Sequence, residues 1–159
     1  MAGRSAAGGT GAEQFTATAN DRVTTLTIAR RAAAACEASP MDDKVNLAEK
    51  LALLDAPYQP GIVGYLNDYK LAVVKVHGEF VWHTHDETDD FFLVLAGRLT
   101  IQLRDRDVEL GPGELFVVPR GVEHCPKADE ETHVLLIEPK GTVNTGDAGG
   151  ELTAPERTI

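Results

Sequence analysis

Short apolar segments separated by turn residues occupy the chain from residue 62 to residue 139, and this pattern limits the fold more than any other feature. The segments are rich in Val, Leu, Ile and Phe, residues that favour strands. They read YKLAVVKV, FFLVLAGRLTIQL, DVEL, ELFVVP and THVLLIEP. The residues between them, such as ND, HGE, GPG and PRG, are typical of tight turns. Many short strands at regular spacing predict an all-β antiparallel sandwich or barrel.

The composition of the chain changes near residue 40. Residues 1–40 are dominated by Ala, Gly, Thr and Ser, and such a segment buries too little apolar surface to offset the entropy of ordering it. We therefore predict a flexible extension over residues 1–40 and a single domain over residues 41–159. At its start, Asn46 and Glu49 form an N-cap pair before a run of leucines, which predicts a short helix from about residue 46 to residue 54.

The charge of the chain excludes several classes of partner. The formal net charge is -10, from 25 acidic and 15 basic residues, and this charge repels a nucleic-acid backbone. No apolar run approaches the ~20 residues that a membrane-spanning helix needs. Cys36 and Cys125 are the two cysteines, too few for a disulfide framework. We expect a protein of the reducing cytoplasm that binds neither nucleic acid nor membranes.

The stretch HTHDETDDFF, residues 83–92, contains the first candidate metal ligands. Residues two apart on a strand point to the same side, so His83 and His85 can act together. Asp90 begins the next strand on the side that enters the same interior, and His124 follows downstream of a strand that can pack beside the first pair. Three imidazoles and one carboxylate suit a divalent transition metal, namely Fe, Mn, Ni, Zn, Co or Cu.

Two motifs in this order resemble those of the cupin superfamily. The first consists of a glycine, the His-x-His pair, an acidic residue and a second glycine, and runs from Gly78 to Gly97. The second is GELFVVPRGVEH, which ends at His124. The resemblance covers roughly residues 60–139 and is greatest to small single-domain cupins described as mannose-6-phosphate-isomerase-like. It implies a double-stranded β-helix, or jelly-roll barrel, with a metal bound by His83, His85, Asp90 and His124.

The chain departs from the family pattern at the acidic position. Asp90 stands where the family usually has Glu, so the carboxylate is shorter by one C–C bond of ~1.5 Å. If Asp90 reaches the metal, the site resembles those of three-histidine, one-carboxylate oxygenases and lyases. If it falls short, the site has three histidines and water, as in thiol dioxygenases. Two smaller departures are the four-residue spacing between Gly78 and His83 and the presence of Ala128 where Asn is common.

Other residues near the motifs have simpler interpretations. The exposed turn after the histidine pair contains Asp86, Glu87 and Asp89, which we interpret as solvated. His77 and His133 match no motif position and are interpreted as structural. Cys125 follows His124 and should point to the opposite face as a packed thiol. By the same alternation, Phe92 and Val94 should line the pocket, whereas Trp82 and Phe91 should face away from it.

Two functions remain open from the sequence. The first is a small metalloenzyme that performs oxygenase, isomerase or lyase chemistry on a small organic molecule, and its catalytic residues are unknown. The second is a non-catalytic cupin that binds or senses a small ligand. Sugar-phosphate isomerisation is not favoured, because neither Lys75 nor Arg120 can be placed inside the pocket. By analogy with small cupins we expect a homodimer, with the tail after Pro139 lying along a partner or over a sheet edge.

Overall fold

The structure is a computed structural model that describes residues 44–159. The predicted extension over residues 1–40 and the start of the predicted domain at residue 41 lie outside the described residues. The described part contains one short helix followed by seven strands. Their bounds are α1 Leu47–Leu51, β1 Gly61–Leu66, β2 Tyr69–Glu79, β3 Asp90–Ala96, β4 Leu99–Leu103, β5 Asp107–Leu110, β6 Leu115–Val118 and β7 His124–Pro139. Every pairing between these strands is antiparallel, and the predicted all-β jelly-roll fold is confirmed.

Helix α1 begins at the predicted N-cap. The Asn46 side chain accepts hydrogen bonds from the backbone N–H groups of Ala48 and Glu49, at 3.0 and 3.4 Å, and donates one to the Glu49 carboxylate at 3.0 Å. The helix ends at Leu51, three residues before its predicted end. The backbone N–H groups of Leu53 and Leu54 bond to carbonyls three positions back, which tightens the chain into a turn. Leu51 and Leu54 are buried against Val73 of β2.

Strand β7 organises the sheet because it is long enough to pair with three neighbours. The main order is β1-β2-β7-β3-β6, and β4 joins β7 and β5. The first residues of β7 pair with β4 and its later residues pair with β3. This arrangement places His124, at the start of β7, close to Asp90, at the start of β3.

The segment predicted as one continuous run, FFLVLAGRLTIQL, forms two strands that are separated at Gly97. Gly97 has a φ of +85°, and a Cβ there would lie 2.9 Å from the Cα of Thr132. The Thr132 hydroxyl accepts a hydrogen bond from the Arg98 N–H at 3.1 Å and donates one to the Arg98 carbonyl at 3.0 Å. Close packing against β7 therefore requires glycine at this turn.

The barrel interior is filled by alternate residues of the strands, as period-2 patterning requires. Phe92 and Val94 are both buried in it. Phe92 lines an interior cavity, as predicted for both residues, whereas Val94 is packed in the core and does not line that cavity. The other large buried side chains of this core include Ile62, Val74, Val76, Leu99, Ile101, Val118, Val134 and Leu136. The Cys125 thiol is also fully buried, and burial raises its pKa to about 11, so it is a packed thiol as predicted. Within residues 44–159, no helix has the length and apolarity to cross a membrane.

Residues 140–159 fold back over the barrel, and we refer to them as the C-terminal arm. The Ile62 N–H donates to the Arg157 carbonyl at 2.7 Å, and the Ile159 N–H donates to the Ile62 carbonyl at 3.0 Å. These bonds place the end of the arm parallel to β1. Of the two predicted positions for the tail, the structure therefore has it covering a sheet edge.

Candidate metal centre

The four residues predicted as metal ligands form one cluster inside the barrel. One nitrogen or oxygen atom from each of His83, His85, Asp90 and His124 lies within 4.8 Å of the others. All four side chains are buried. Donor atoms at such separations can surround a single ion, and buried histidines and carboxylates arranged in this way are typical of metal sites.

Backbone pairing fixes the relative positions of two histidines. His83 and His124 face each other in an isolated bridge, and each donates its N–H to the other's carbonyl at 3.0 Å. Their ring centroids are 4.3 Å apart. His85 lies in the loop between β2 and β3, where its carbonyl accepts a hydrogen bond from the Gly121 N–H at 3.0 Å. The expectation that His83 and His85 share a strand is thus wrong, because the chain turns there and only His83 is paired.

The rings of His83 and His124 are each held by a hydrogen bond at Nδ1, and this bond fixes the tautomer that can bind a metal through Nε2. The Nδ1 atom of His83 lies 2.9 Å from the Val81 carbonyl oxygen, and that of His124 lies 3.0 Å from the Val122 carbonyl oxygen. A carbonyl only accepts, so Nδ1 carries the proton and Nε2 presents its lone pair. Burial, and then the neighbouring His124, lower the pKa of His83 to about 4, and burial also lowers the pKa of His85. A neutral imidazole is the form of histidine that can bind a metal.

Asp90 lies within the cluster despite its short side chain. Its Oδ2 atom is 3.1 Å from Nε2 of His124 and 3.6 Å from Nε2 of His85. Its Oδ1 atom is buried and has no hydrogen-bond partner. A buried carboxylate oxygen without a partner is costly, and a cation held among the imidazoles would compensate it. The residues present therefore fit a divalent metal.

The C-terminal arm supports the histidine loop through contacts that the sequence did not indicate. The Thr84 N–H donates to the Asp147 carboxylate at 2.7 Å, and the Asp147 N–H donates to the Thr84 carbonyl at 3.1 Å. The bond from Thr84 lowers the pKa of Asp147. Gly146 has a φ of +50°, and a Cβ there would overlap the Thr84 carbonyl oxygen. Thr84 lies between two candidate ligands, so the arm limits where both of them can lie.

A second contact joins the residues that precede His83 and His124. The Arg104 guanidinium lies 3.8 Å from the centroid of the Trp82 ring, and it donates two hydrogen bonds, each of 2.6 Å, to the Glu123 carboxylate. Bidentate pairing fixes orientation more tightly than a single ion pair. Arg104 thus connects the two chain segments that carry His83 and His124.

A cavity of about 40 Å³ borders the cluster at His83 and Asp90. Its walls are mainly apolar and aromatic, and the lining residues are Tyr58, Pro60, Val74, Val76, Phe80, His83, Asp90, Phe92, Pro126, Leu136, Glu138 and Asn144. Burial, and then the charge of Asp90, raise the pKa of Glu138 to about 7 against the opposing effect of Lys70. Glu138 was not predicted as a site residue, because it falls in a strand segment with no motif.

The remaining polar residues considered in the sequence lie outside the cluster. Asp86 and Glu87 are exposed, as predicted for a solvated turn. Asp89 is exposed too, but its carboxylate accepts the Arg120 N–H at 2.9 Å and so orders the turn. His133 hydrogen-bonds Glu131 at 2.9 Å. Arg120 and Lys75 are absent from the lining of the cavity beside the cluster.

The protein is a small antiparallel jelly-roll barrel, and three imidazoles and one carboxylate point into its interior. This combination defines the class of protein, namely a jelly roll with a candidate metal centre inside it. Known proteins identify the class more closely. The family model described as "Cupin domain" matches residues 70–138. A cupin-2 domain containing protein from Shewanella frigidimarina is 44% identical, with a TM-score of 0.59, and the match covers 60% of this chain and 94% of that one. The chain belongs to the cupin superfamily.

Two further relatives have no stated activity. Protein NMB1881 from Neisseria meningitidis is 28% identical, with a TM-score of 0.57, over 61% of this chain and 99% of that one. The uncharacterized protein YdbB of Bacillus subtilis is 29% identical over 79 residues, which are 49% of this chain and 70% of that protein. The names of these two relatives state no activity, so the reaction is inferred from the site.

Proposed function

We propose that this chain is a metal-dependent cupin that acts on a small organic molecule, with His83, His85, Asp90 and His124 holding a divalent transition metal. The observation that supports this most directly is the unpartnered Oδ1 of Asp90 among buried imidazoles. Oxygenase, isomerase and lyase chemistry are all compatible with this ligand set. Sugar-phosphate isomerisation is not proposed, because no free cation lines the described cavity.

Each part of the site has a distinct role in this proposal. A bound metal would supply a Lewis acid or redox centre. His83 and His124 present Nε2 towards the common centre, and their Nδ1 bonds hold the rings in place. Asp90 supplies negative charge that offsets the charge of the cation. The apolar walls around the cavity exclude bulk water, which strengthens electrostatic interactions inside.

The first experiment is elemental analysis of untagged protein purified without a nickel column or chelator. Near-stoichiometric Fe or Cu would direct the search to oxygen-dependent chemistry, and Mn or Ni would direct it to isomerase or lyase chemistry. Dioxygen uptake with candidate substrates then separates an enzyme from a binding or sensing cupin. Protein that is free of metal, and that binds added metals no more tightly than millimolar, would contradict the proposal.

Replacing Asp90 by Glu should preserve metal binding. The longer side chain restores the residue usual in the family, and Asp90 borders the cavity, which leaves room for the added methylene. We expect Asp90→Glu to bind metal as tightly as the natural chain or more tightly, and Asp90→Ala to bind at least about 10-fold more weakly. Metal titration of both variants measures this. Asp86→Ala, which removes an exposed carboxylate of the same turn, is the matched control, and equal affinities for Asp90→Ala and Asp86→Ala would remove Asp90 from the ligand set.

We also propose a homodimer that forms through the outer face of β3, β6 and β7. Phe91 of β3 pairs with Val117 of β6 and Ile137 of β7, and the next outward pair is Leu93 with Leu115. Leu115 and Val117 are 54% and 39% exposed. A contiguous apolar surface of this kind marks an interaction site, and the absence of charged residues among these five lets two acidic chains approach.

Light scattering at micromolar concentration tests the dimer. The mass should be twice that of one chain, and Leu115→Glu should halve it, because a charge would be buried at the interface. Leu66→Glu changes an equally exposed leucine on β1 and should leave the mass unchanged. A monomeric mass for the natural chain would reject the proposal.

A further inference from the structure

The polar lining of the cavity restricts what it can bind. Asn144 is fully engaged by the protein, since its amide nitrogen donates to the carbonyls of Tyr58 and Leu152 at 3.3 and 2.9 Å and its oxygen accepts the Ala154 N–H at 2.9 Å. The Tyr58 hydroxyl, which also lines the cavity, donates its proton to the Gly78 carbonyl at 2.7 Å. Among the described lining residues outside the metal cluster, Glu138 is therefore the polar side chain best placed to accept a hydrogen bond from a ligand.

Glu138 is held firmly by a buried lysine. It is 5% exposed, and its Oε2 atom lies 3.1 Å from Nζ of Lys70. Lys70 also contacts the Thr142 carbonyl at 2.7 Å and the Glu156 carboxylate at 2.9 Å. Three acceptors match the three N–H donors of an ammonium group. Lys70 thus positions Glu138 and has no donor left for an anion in the cavity.

Glu138 and the metal cluster face the same small space. Asp90 and Glu138 lie on the adjacent strands β3 and β7, and both line the cavity, as does His83. The cavity volume is about 40 Å³, and a single water needs roughly 10–15 Å³ on this measure. A molecule with only a few non-hydrogen atoms can therefore extend from the cluster to Glu138.

Building on the metal-dependent function proposed above, we infer that the site takes small neutral or cationic molecules that donate a hydrogen bond from a hydroxyl or amino group to Glu138. The apolar walls contact the carbon atoms of such a ligand, and the carboxylate accepts its polar hydrogen. A carboxylate or phosphate at the same position would face Glu138 in a water-poor space with no free cation, and charges of one sign repel strongly there. Glu138 is thus a specificity-determining residue.

The test compares two thiols, 2-mercaptoethanol and mercaptoacetate, on cobalt-loaded protein at a pH about one unit or more above the raised pKa of Glu138, where its carboxylate is ionised. Each has a thiol at one end, and they end in a hydroxyl and a carboxylate, respectively. Visible absorption of the cobalt reports binding of either probe. Glu138→Gln should lower the affinity for 2-mercaptoethanol and raise the affinity for mercaptoacetate, each by about fivefold. The reason is that a charged acceptor becomes an amide that can donate a hydrogen bond. Changes in opposite directions cannot come from a general loss of structure.

Glu156→Gln is the matched control, because Glu156 also contacts Lys70 but does not line this cavity. It should change the affinity for either probe by less than about twofold. If Glu138→Gln does not fold, Glu138→Asp is used instead, because it withdraws the carboxylate by ~1.5 Å. This variant should lower the affinity for 2-mercaptoethanol without raising the affinity for mercaptoacetate. Cobalt uptake is measured first, and its failure would count against the metal site itself. Stoichiometric cobalt with unchanged relative affinities in the Glu138 variant, or with neither probe bound, would overturn the inference about the ligand.

Discussion

Replacing His124 by Ala is expected to lower the affinity for divalent transition metals by at least about 100-fold. His124 is 1% exposed, its ring lies beside that of His83, and its Nε2 is 3.1 Å from Asp90. The change removes one of three imidazoles, and the remaining side chains cannot move into its place because His83 is fixed by its Val81 hydrogen bond. Competition titration with a chromophoric chelator measures the affinity.

His133→Ala is the control for this variant. His133 is on the same strand, but it bonds to Glu131 and lies outside the cluster, so its removal should leave metal affinity unchanged. Because His124 fills buried space, the thermal unfolding of metal-free His124→Ala is compared with that of the metal-free natural chain. A folded His124→Ala protein with full metal content and unchanged affinity would exclude the assigned centre.

The second large effect is expected at Gly146 in the C-terminal arm. Any side chain there costs ~1–2 kcal/mol for its left-handed backbone, and its Cβ would also overlap the Thr84 carbonyl. Relieving that overlap should add about 1–3 kcal/mol. Because Thr84 separates His83 and His85, Gly146→Ala should also weaken metal binding. Urea unfolding of the metal-free protein and metal titration measure the two effects.

Gly149→Ala isolates the contribution of the contact with Thr84. Gly149 has a φ of +60°, but the space around it is open, so alanine there carries the backbone cost without the overlap. We expect Gly149→Ala to lower the free energy of unfolding only by the backbone cost of ~1–2 kcal/mol and to leave the metal affinity unchanged. If both variants lost the same stability and bound metal equally, the arm would have no role in positioning the histidine loop.

The identity of the four cluster residues could largely be predicted from the sequence, because short-range sequence patterns indicate them. A motif pattern with fixed spacing indicated His83, His85, Asp90 and His124, and the structure brings these four together, although their role as ligands stays a prediction. The strand assumed for His83 and His85 was wrong in detail. Their convergence depends on the cross-strand bridge to His124, which is a long-range pairing that period-2 alternation does not reveal.

Other features could not be predicted because they depend on contacts between distant parts of the chain. Gly97 divides an apparently continuous strand because Thr132 approaches it from β7. Glu138 sits in a strand of ordinary composition, and its burial beside Lys70 follows from the pairing of β2 with β7. Gly146 and Asp147 lie in the tail after Pro139, where no site residue was predicted, and their position beside Thr84 depends on the path of the whole arm.

The residues that line the cavity come from two parts of the chain, one inside and one outside residues 70–138. Tyr58, Pro60 and Asn144 lie outside residues 70–138, the part that matches the cupin family, whereas the four cluster residues lie inside it. One part of the cavity wall therefore lies outside the stretch that carries the cluster and Glu138, and this part can change during evolution while the cluster is kept. Grafting these flanking segments onto the barrel of another cupin is thus a route to altering which molecules that barrel admits.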